Sequence, residues 1–221
     1  MLSAALAIGM IATTPGHADQ AVMDALFERD HMRTVETPTT VVYDFVSGGE
    51  AVKGETRRDE IVMDVTAIRE DGARDVHMTL FPGAGDKKQE IPGAPNGVHS
   101  NPVLWLLLKR DTEALQFFTG GAASYFQAQI RAAFEGESRA EPVTIELDGR
   151  QVEAARIRFQ PFVHDEAHAK DLRNFKDKTY EIVLSDAVPG GLYRWHATTP
   201  GGSDESPPLL EETVTYRESR S

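Results

Sequence analysis

The chain has no cysteine in its 221 residues. That excludes disulfides, thiolate nucleophiles and Cys-ligated metals, and with them the lipid-modified cysteine of a bacterial lipoprotein. Basic charge is scarce as well. Lys and Arg number 23 against 35 Asp and Glu, giving a formal net charge of −12 at pH 7. A nucleic-acid backbone or an anionic lipid surface is gripped by a surplus of Lys and Arg, so neither is expected as a partner. No apolar run reaches the roughly 20 residues of a spanning helix, and the mature chain is expected to carry no transmembrane segment.

What is present suffices for a core. Hydrophobic residues make up 40% of the chain and aromatic ones 8%, in a length that suits one sizeable domain. The first residues differ from the rest. Leu2 to Ala12 are uncharged, no Asp, Glu, Lys or Arg precedes Asp19, and the small residues Gly16 and Ala18 close the segment. This pattern reads as a secretory signal peptide over residues 1–18, cleaved after Ala18. It leaves 19–221 as a single α+β domain in the periplasm, where a large enough core needs no disulfide staples.

Val22, Ala25 and Leu26 have helical spacing and predict a short amphipathic helix. The period then changes to two. Val41, Tyr43 and Phe45, then Ile61, Met63 and Val65, then Val76, Met78 and Leu80 predict consecutive antiparallel strands. The Pro- and Gly-rich stretch after them reads as irregular, and its Gly83, Gly85, Lys87 and Lys88 lack the spacing of a phosphate loop. Asn101 followed by Pro102 marks a helix start. Two helices follow, divided at Gly120-Gly121, with apolar stripes through Leu104, Leu107, Leu108 and Leu115 and through Phe126, Ile130 and Phe134. Strands resume around the Asp148-Gly149 hairpin turn. The last of them, "LLEETVTYRE", carries charges that suit a sheet edge. The order predicts an α+β fold, a mostly antiparallel, curved or half-barrel-like sheet covered by the two central helices.

Residues 164–168, "HDEAH", place two histidines four apart. A zinc protease helix needs glutamate directly after its first histidine, and Asp165 stands there instead. Asp165 and Glu166 ahead of Lys170 and Arg173 read as a small helix whose charges follow its dipole. No metal and no cofactor is expected, and His164 and His168 are the metal candidates. His31, His77, His99 and His196 are expected at the solvated surface. The chain has no G-x-S-x-G elbow, and no catalytic residue is assigned. Aromatic residues crowd the two middle helices, while Tyr193 and Trp195 alternate onto one strand face. They read as core, or as the lining of a pocket between sheet and helices. The candidate lining residues are Trp105, Phe118, Phe126, Tyr193 and Trp195.

Three stretches, "LFERDHM" leading into "TTVVYDF", "NPVLWLLLKRD" leading into "ASYFQAQIR", and "KTYEIVLSDAVPGGLYRW", together resemble a group of uncharacterised proteobacterial envelope proteins over most of the mature chain. The order of elements is also similar to that of the periplasmic lipoprotein carriers, in layout alone. In those carriers an open, curved antiparallel sheet encloses apolar cargo under helices, and no motif of theirs matches this chain residue by residue. The layout implies a non-catalytic periplasmic protein that binds a lipid, an acyl chain or an apolar peptide. Two alternatives stand beside it: an envelope protein-interaction module with a packed core, and a metal-dependent hydrolase at His164 and His168.

Overall fold

The computed structural model describes residues 22–221 apart from Gly54, Pro95, Glu137 and Asp204. The expected signal peptide, residues 1–18, lies outside the described residues. Alternation of apolar and polar residues builds the sheet, because successive side chains of a strand point to opposite faces. Its strands are β1 (Thr39–Gly48), β2 (Arg57–Ile68), β3 (Arg74–Leu80), β4 (Gln89–Ile91), β5 (Arg139–Leu147), β6 (Arg150–Phe159), β7 (Thr179–Leu184), β8 (Leu192–Thr199) and β9 (Leu210–Arg220). They lie in the order β4-β3-β2-β1-β9-β8-β7-β6-β5, every neighbouring pair antiparallel, in an open sheet with β4 and β5 at its edges. The expected α+β class and mostly antiparallel sheet are what the structure has.

Local chemistry sets the turns. Asp148 and Gly149 both have positive φ, 51° and 74°, as the tight turn that matches strand twist requires. The placement of the last strand differs from the sequence reading. β9 is central, between β1 and β8, and not at an edge. Its charges are answered across the strands: Arg217 donates to Asp44 of β1 at 3.1 Å and to Glu60 of β2 at 2.7 Å, and Glu211 pairs with His196 of β8 at 2.8 Å. Charged side chains on the outer face say nothing of the ladder hydrogen bonds, and that is why the edge assignment failed. One of the two edge strands, β4, falls in the stretch read as irregular, where three residues are too few to show a period.

Two helices roof one face. In α1 (Pro102–Thr119) the Asn101 side chain caps the start by accepting the Val103 N–H at 2.9 Å, and Gly120, at φ 74°, ends it. Next comes α2 (Ala123–Gly136). Gly121 between them cannot be larger, since a Cβ there would come within 2.6 Å of the Phe126 ring. Leu104, Leu107, Leu108, Ile130 and Phe134 of the roof join Tyr43, Phe45, Met63, Trp195 and Val214 of the sheet in one core. Val22 and Leu26, at the N-terminal helical segment, are buried in the same core. Among the described residues no helix is long and apolar enough to cross a membrane.

Candidate functional site

The five aromatic side chains selected from the sequence are not brought together. Trp195 is in the main core with no exposed surface, edge-on to Tyr180 at 5.5 Å. Tyr193 belongs to a different cluster, packed with Val183 and Ile145. Strict alternation would put both on one face. A register shift leaves Tyr193 unpaired, because Val183 faces Arg194 while Leu184 faces Leu192, and this turns Tyr193 away from Trp195. Phe126 closes a second cluster with Leu115, Phe162, Leu172 and Phe175. Phe118 is half-buried and stacks on Phe175 at 5.6 Å. Trp105 is 59% exposed and meets Phe27 at 5.3 Å.

Phe117 is 83% exposed and lies 5.1 Å from Phe118. A strip of rings therefore runs from solvent, through Phe117, Phe118 and Phe175, to the buried second cluster. Leu209 and Leu210, at the start of β9, pack against the same cluster.

Beneath α1 the sheet carries a row of polar groups that sequence reasoning missed. Asp111 of α1 meets buried Lys178 at 2.9 Å and accepts a hydrogen bond from the Tyr180 hydroxyl. Arg110 faces Glu212 of β9 at 3.6 Å. Burial pushes the Glu212 carboxyl above its ordinary value, and the nearby Asp111 charge adds to the effect. Burial and the Asp111 charge likewise push the Tyr180 hydroxyl well up, so it stays a donor. A signal for this row does exist in the sequence. Asp111 falls on the apolar stripe of Leu104, Leu108 and Leu115, and Glu212 shares a strand face with Leu210 and Val214.

His31 corrects a second expectation, since it is buried rather than solvated. Its Nε2 meets the Ala25 carbonyl at 2.7 Å, and its Nδ1 accepts the Asn101 N–H at 3.3 Å. Asn101 in turn donates to the Tyr43 hydroxyl and the Gly190 carbonyl, so the imidazole ties the N-terminal segment to the start of α1. Burial lowers the His31 pKa below the ordinary 6.5. A base whose folded pKa is depressed stabilises fully above the unfolded value and loses that contribution as pH falls through the folded one. The wild type is therefore expected to lose more denaturation midpoint between pH 7.5 and 5 than His31→Gln does. Parallel profiles of the two proteins would contradict this.

The "HDEAH" segment is not the helix expected of it. The helical turn begins later, over Ala169–Leu172. Asp165 takes over the local hydrogen bonds, accepting from the His168 N–H at 3.0 Å, the His168 ring and the Tyr125 hydroxyl. Tyr125 thereby holds the Asp165 carboxyl below its usual range. His168 is engaged with Asp165, and among the described residues no group of three or more His, Cys, Asp or Glu is placed to hold a metal ion. Replacing His164 and His168 together with alanine is expected to change the melting temperature by no more than a few degrees. Stoichiometric zinc lost with that double variant would contradict this reading.

No family model matches the chain, and no curated protein matches it. Among solved structures, the MucA/MucB complex of Pseudomonas aeruginosa is similar at 12% identity and a TM-score of 0.39, over 90% of this chain and 56% of that one. This chain thus spans little more than half of that first relative. A DUF1329 family protein from Desulfovibrio piger matches at 8% identity and a TM-score of 0.26, over 94% of this chain and 93% of that one. A LolA superfamily protein from Nitrosomonas europaea matches at 9% identity and a TM-score of 0.21, over 92% and 93%. At these values no residue role passes from any of them to this chain.

Proposed function

We propose that this chain is a non-catalytic binding protein of the bacterial periplasm whose ligand is apolar: a lipid, an acyl chain or an apolar peptide. The observation that carries the reading is the aromatic strip from exposed Phe117, through Phe118 and Phe175, to the cluster around Phe126. Single exposed apolar residues are ordinary. A run of rings that continues into the interior offers an apolar chain a contact at every depth. The ligand meets the protein along this strip, beside Leu209 and Leu210.

A second reading, an envelope protein-interaction module, is favoured by the closure of the main core, in which Tyr43, Phe45 and Trp195 have essentially no exposed surface. Fluorescent fatty-acid binding separates the two. With the apolar-ligand reading, the wild type binds the probe, and Phe117→Ala with Phe118→Ala weakens binding by about tenfold or more per ring lost, given the free energy of burying a phenyl group. The chain has only two tryptophans, Trp105 and Trp195, so Trp105→Phe leaves Trp195 as the sole reporter of the core. A wild type that never binds the probe would sink the apolar-ligand reading and leave the interaction module.

A further inference from the structure

Phe81, directly after β3, has φ 55°, a left-handed conformation that a bulky residue rarely adopts, and its ring is buried. Two guanidinium groups lie over that ring, Arg57 at 3.9 Å and Arg110 at 4.7 Å from its centroid. Phe45 packs edge-on against it at 4.8 Å. Each arginine has one carboxylate at ion-pair distance, beyond hydrogen-bond reach. Arg57 stands 3.6 Å from Asp59, and Arg110 stands 3.6 Å from Glu212. The Asp59 Oδ1 accepts the N–H groups of Glu60 at 2.9 Å and Gly83 at 3.0 Å, which fixes the carboxyl, and its Oδ2 is the oxygen nearest Arg57. The Arg57 Nη2 and the Arg110 Nε are shielded from solvent and have no hydrogen-bond acceptor. Shielded donors without acceptors are rare in folded proteins. Here two of them occur on guanidinium groups that share one aromatic ring, and a guanidinium presents its N–H groups as a fork suited to carboxylate or phosphate.

The surroundings add a direction. Arg110, Ala114 and Phe118 lie at successive steps of four along α1, so they line one side of it over about 12 Å. Glu212 and Leu210 on β9 face the same side, Glu212 towards Arg110 and Leu210 in the cluster of Phe118. One end of this side is cationic, its middle is a small residue, and its other end is the aromatic strip. We propose that Arg57 and Arg110, stacked on Phe81, form an oxyanion site for the carboxylate or phosphate of an acidic amphiphile, whose tail runs past Ala114 to Phe118. The proposal rests on the apolar-ligand reading and names the headgroup class.

The test is calorimetric binding of dodecyl phosphate, dodecyl maltoside and inorganic phosphate to the full mature chain, below the micelle threshold. Dodecyl phosphate is expected to bind about tenfold or more tighter than dodecyl maltoside, as charge-assisted hydrogen bonds imply. Arg57→Gln and Arg110→Gln each abolish that preference. Arg57→Lys, which keeps the charge and loses the fork, recovers part of it. If a glutamine variant does not fold, the lysine variant and displacement of dodecyl phosphate from the wild type by inorganic phosphate carry the test. Equal affinity for the two amphiphiles, or a preference untouched by Arg110→Gln, overturns the oxyanion site and leaves the apolar-ligand reading standing. Phosphate binding that needs both arginines, with no binding of maltoside, supports the site for a free anion and overturns the apolar ligand. Absence of all binding overturns both.

Discussion

Asp111→Ala is expected to destabilise the fold by about 3–5 kcal/mol, the cost of leaving one member of a buried ion pair without its partner. Lys178 would lose its direct partner in a site with almost no solvent access, and the Tyr180 hydroxyl would lose its acceptor. The ion pair is not a source of great stability in itself, because removing both charges from water costs nearly what their attraction returns. Replacing the whole group, Asp111→Leu with Lys178→Met and Tyr180→Phe, is accordingly expected to be close to neutral or stabilising. Urea denaturation of the single and triple variants checks both statements. A single variant within about 1 kcal/mol of wild type would mean that Lys178 reaches solvent and that the row beneath α1 is not closed.

Phe126→Ala carries the second large effect. Its ring is 1% exposed and sits against Phe162 at 5.9 Å and Tyr125 at 5.0 Å, with the Gly121 backbone close behind it. Truncation in so closed a site combines lost transfer energy with an unfilled cavity, about 3–5 kcal/mol for a phenylalanine. Were Phe126 itself to line an open ligand chamber, the loss would be smaller and fatty-acid affinity would fall instead. Denaturant unfolding with and without the fluorescent probe separates these outcomes. The expected result is a large loss of stability with probe binding retained at the exposed end of the strip.

Much of the fold was legible in the sequence. Ile61, Met63 and Val65 alternate cleanly because only one face of β2 is fully buried there, and Asn101-Pro102 and Gly120 punctuate α1 with residues whose backbone chemistry permits little else. The position of β9 was not legible. Side-chain charge reports the outward face of a strand, while neighbours are decided by long-range pairing with β1 and β8. Tyr193 was misplaced for a related reason, since one bulged residue reverses every alternation beyond it. His31 looked like a loop residue because its two partners, the Ala25 carbonyl and the Asn101 N–H, are backbone groups that leave no trace in residue identity. The candidate site was half legible. The aromatic residues of α1 and α2 were legible as candidates, whereas Arg57 and Arg110 were invisible as a pair. They come from distant elements and meet only on the ring of Phe81.

Native mass spectrometry of the protein purified from the envelope of its own cells tests the central claim most directly. The account expects a fraction of the protein to carry extra mass that organic solvent releases as a lipid or acyl compound, and that fraction to shrink in the Phe117→Ala, Phe118→Ala variant. Protein that flies only at its bare mass, or only with a bound protein subunit or a metal ion, would contradict it.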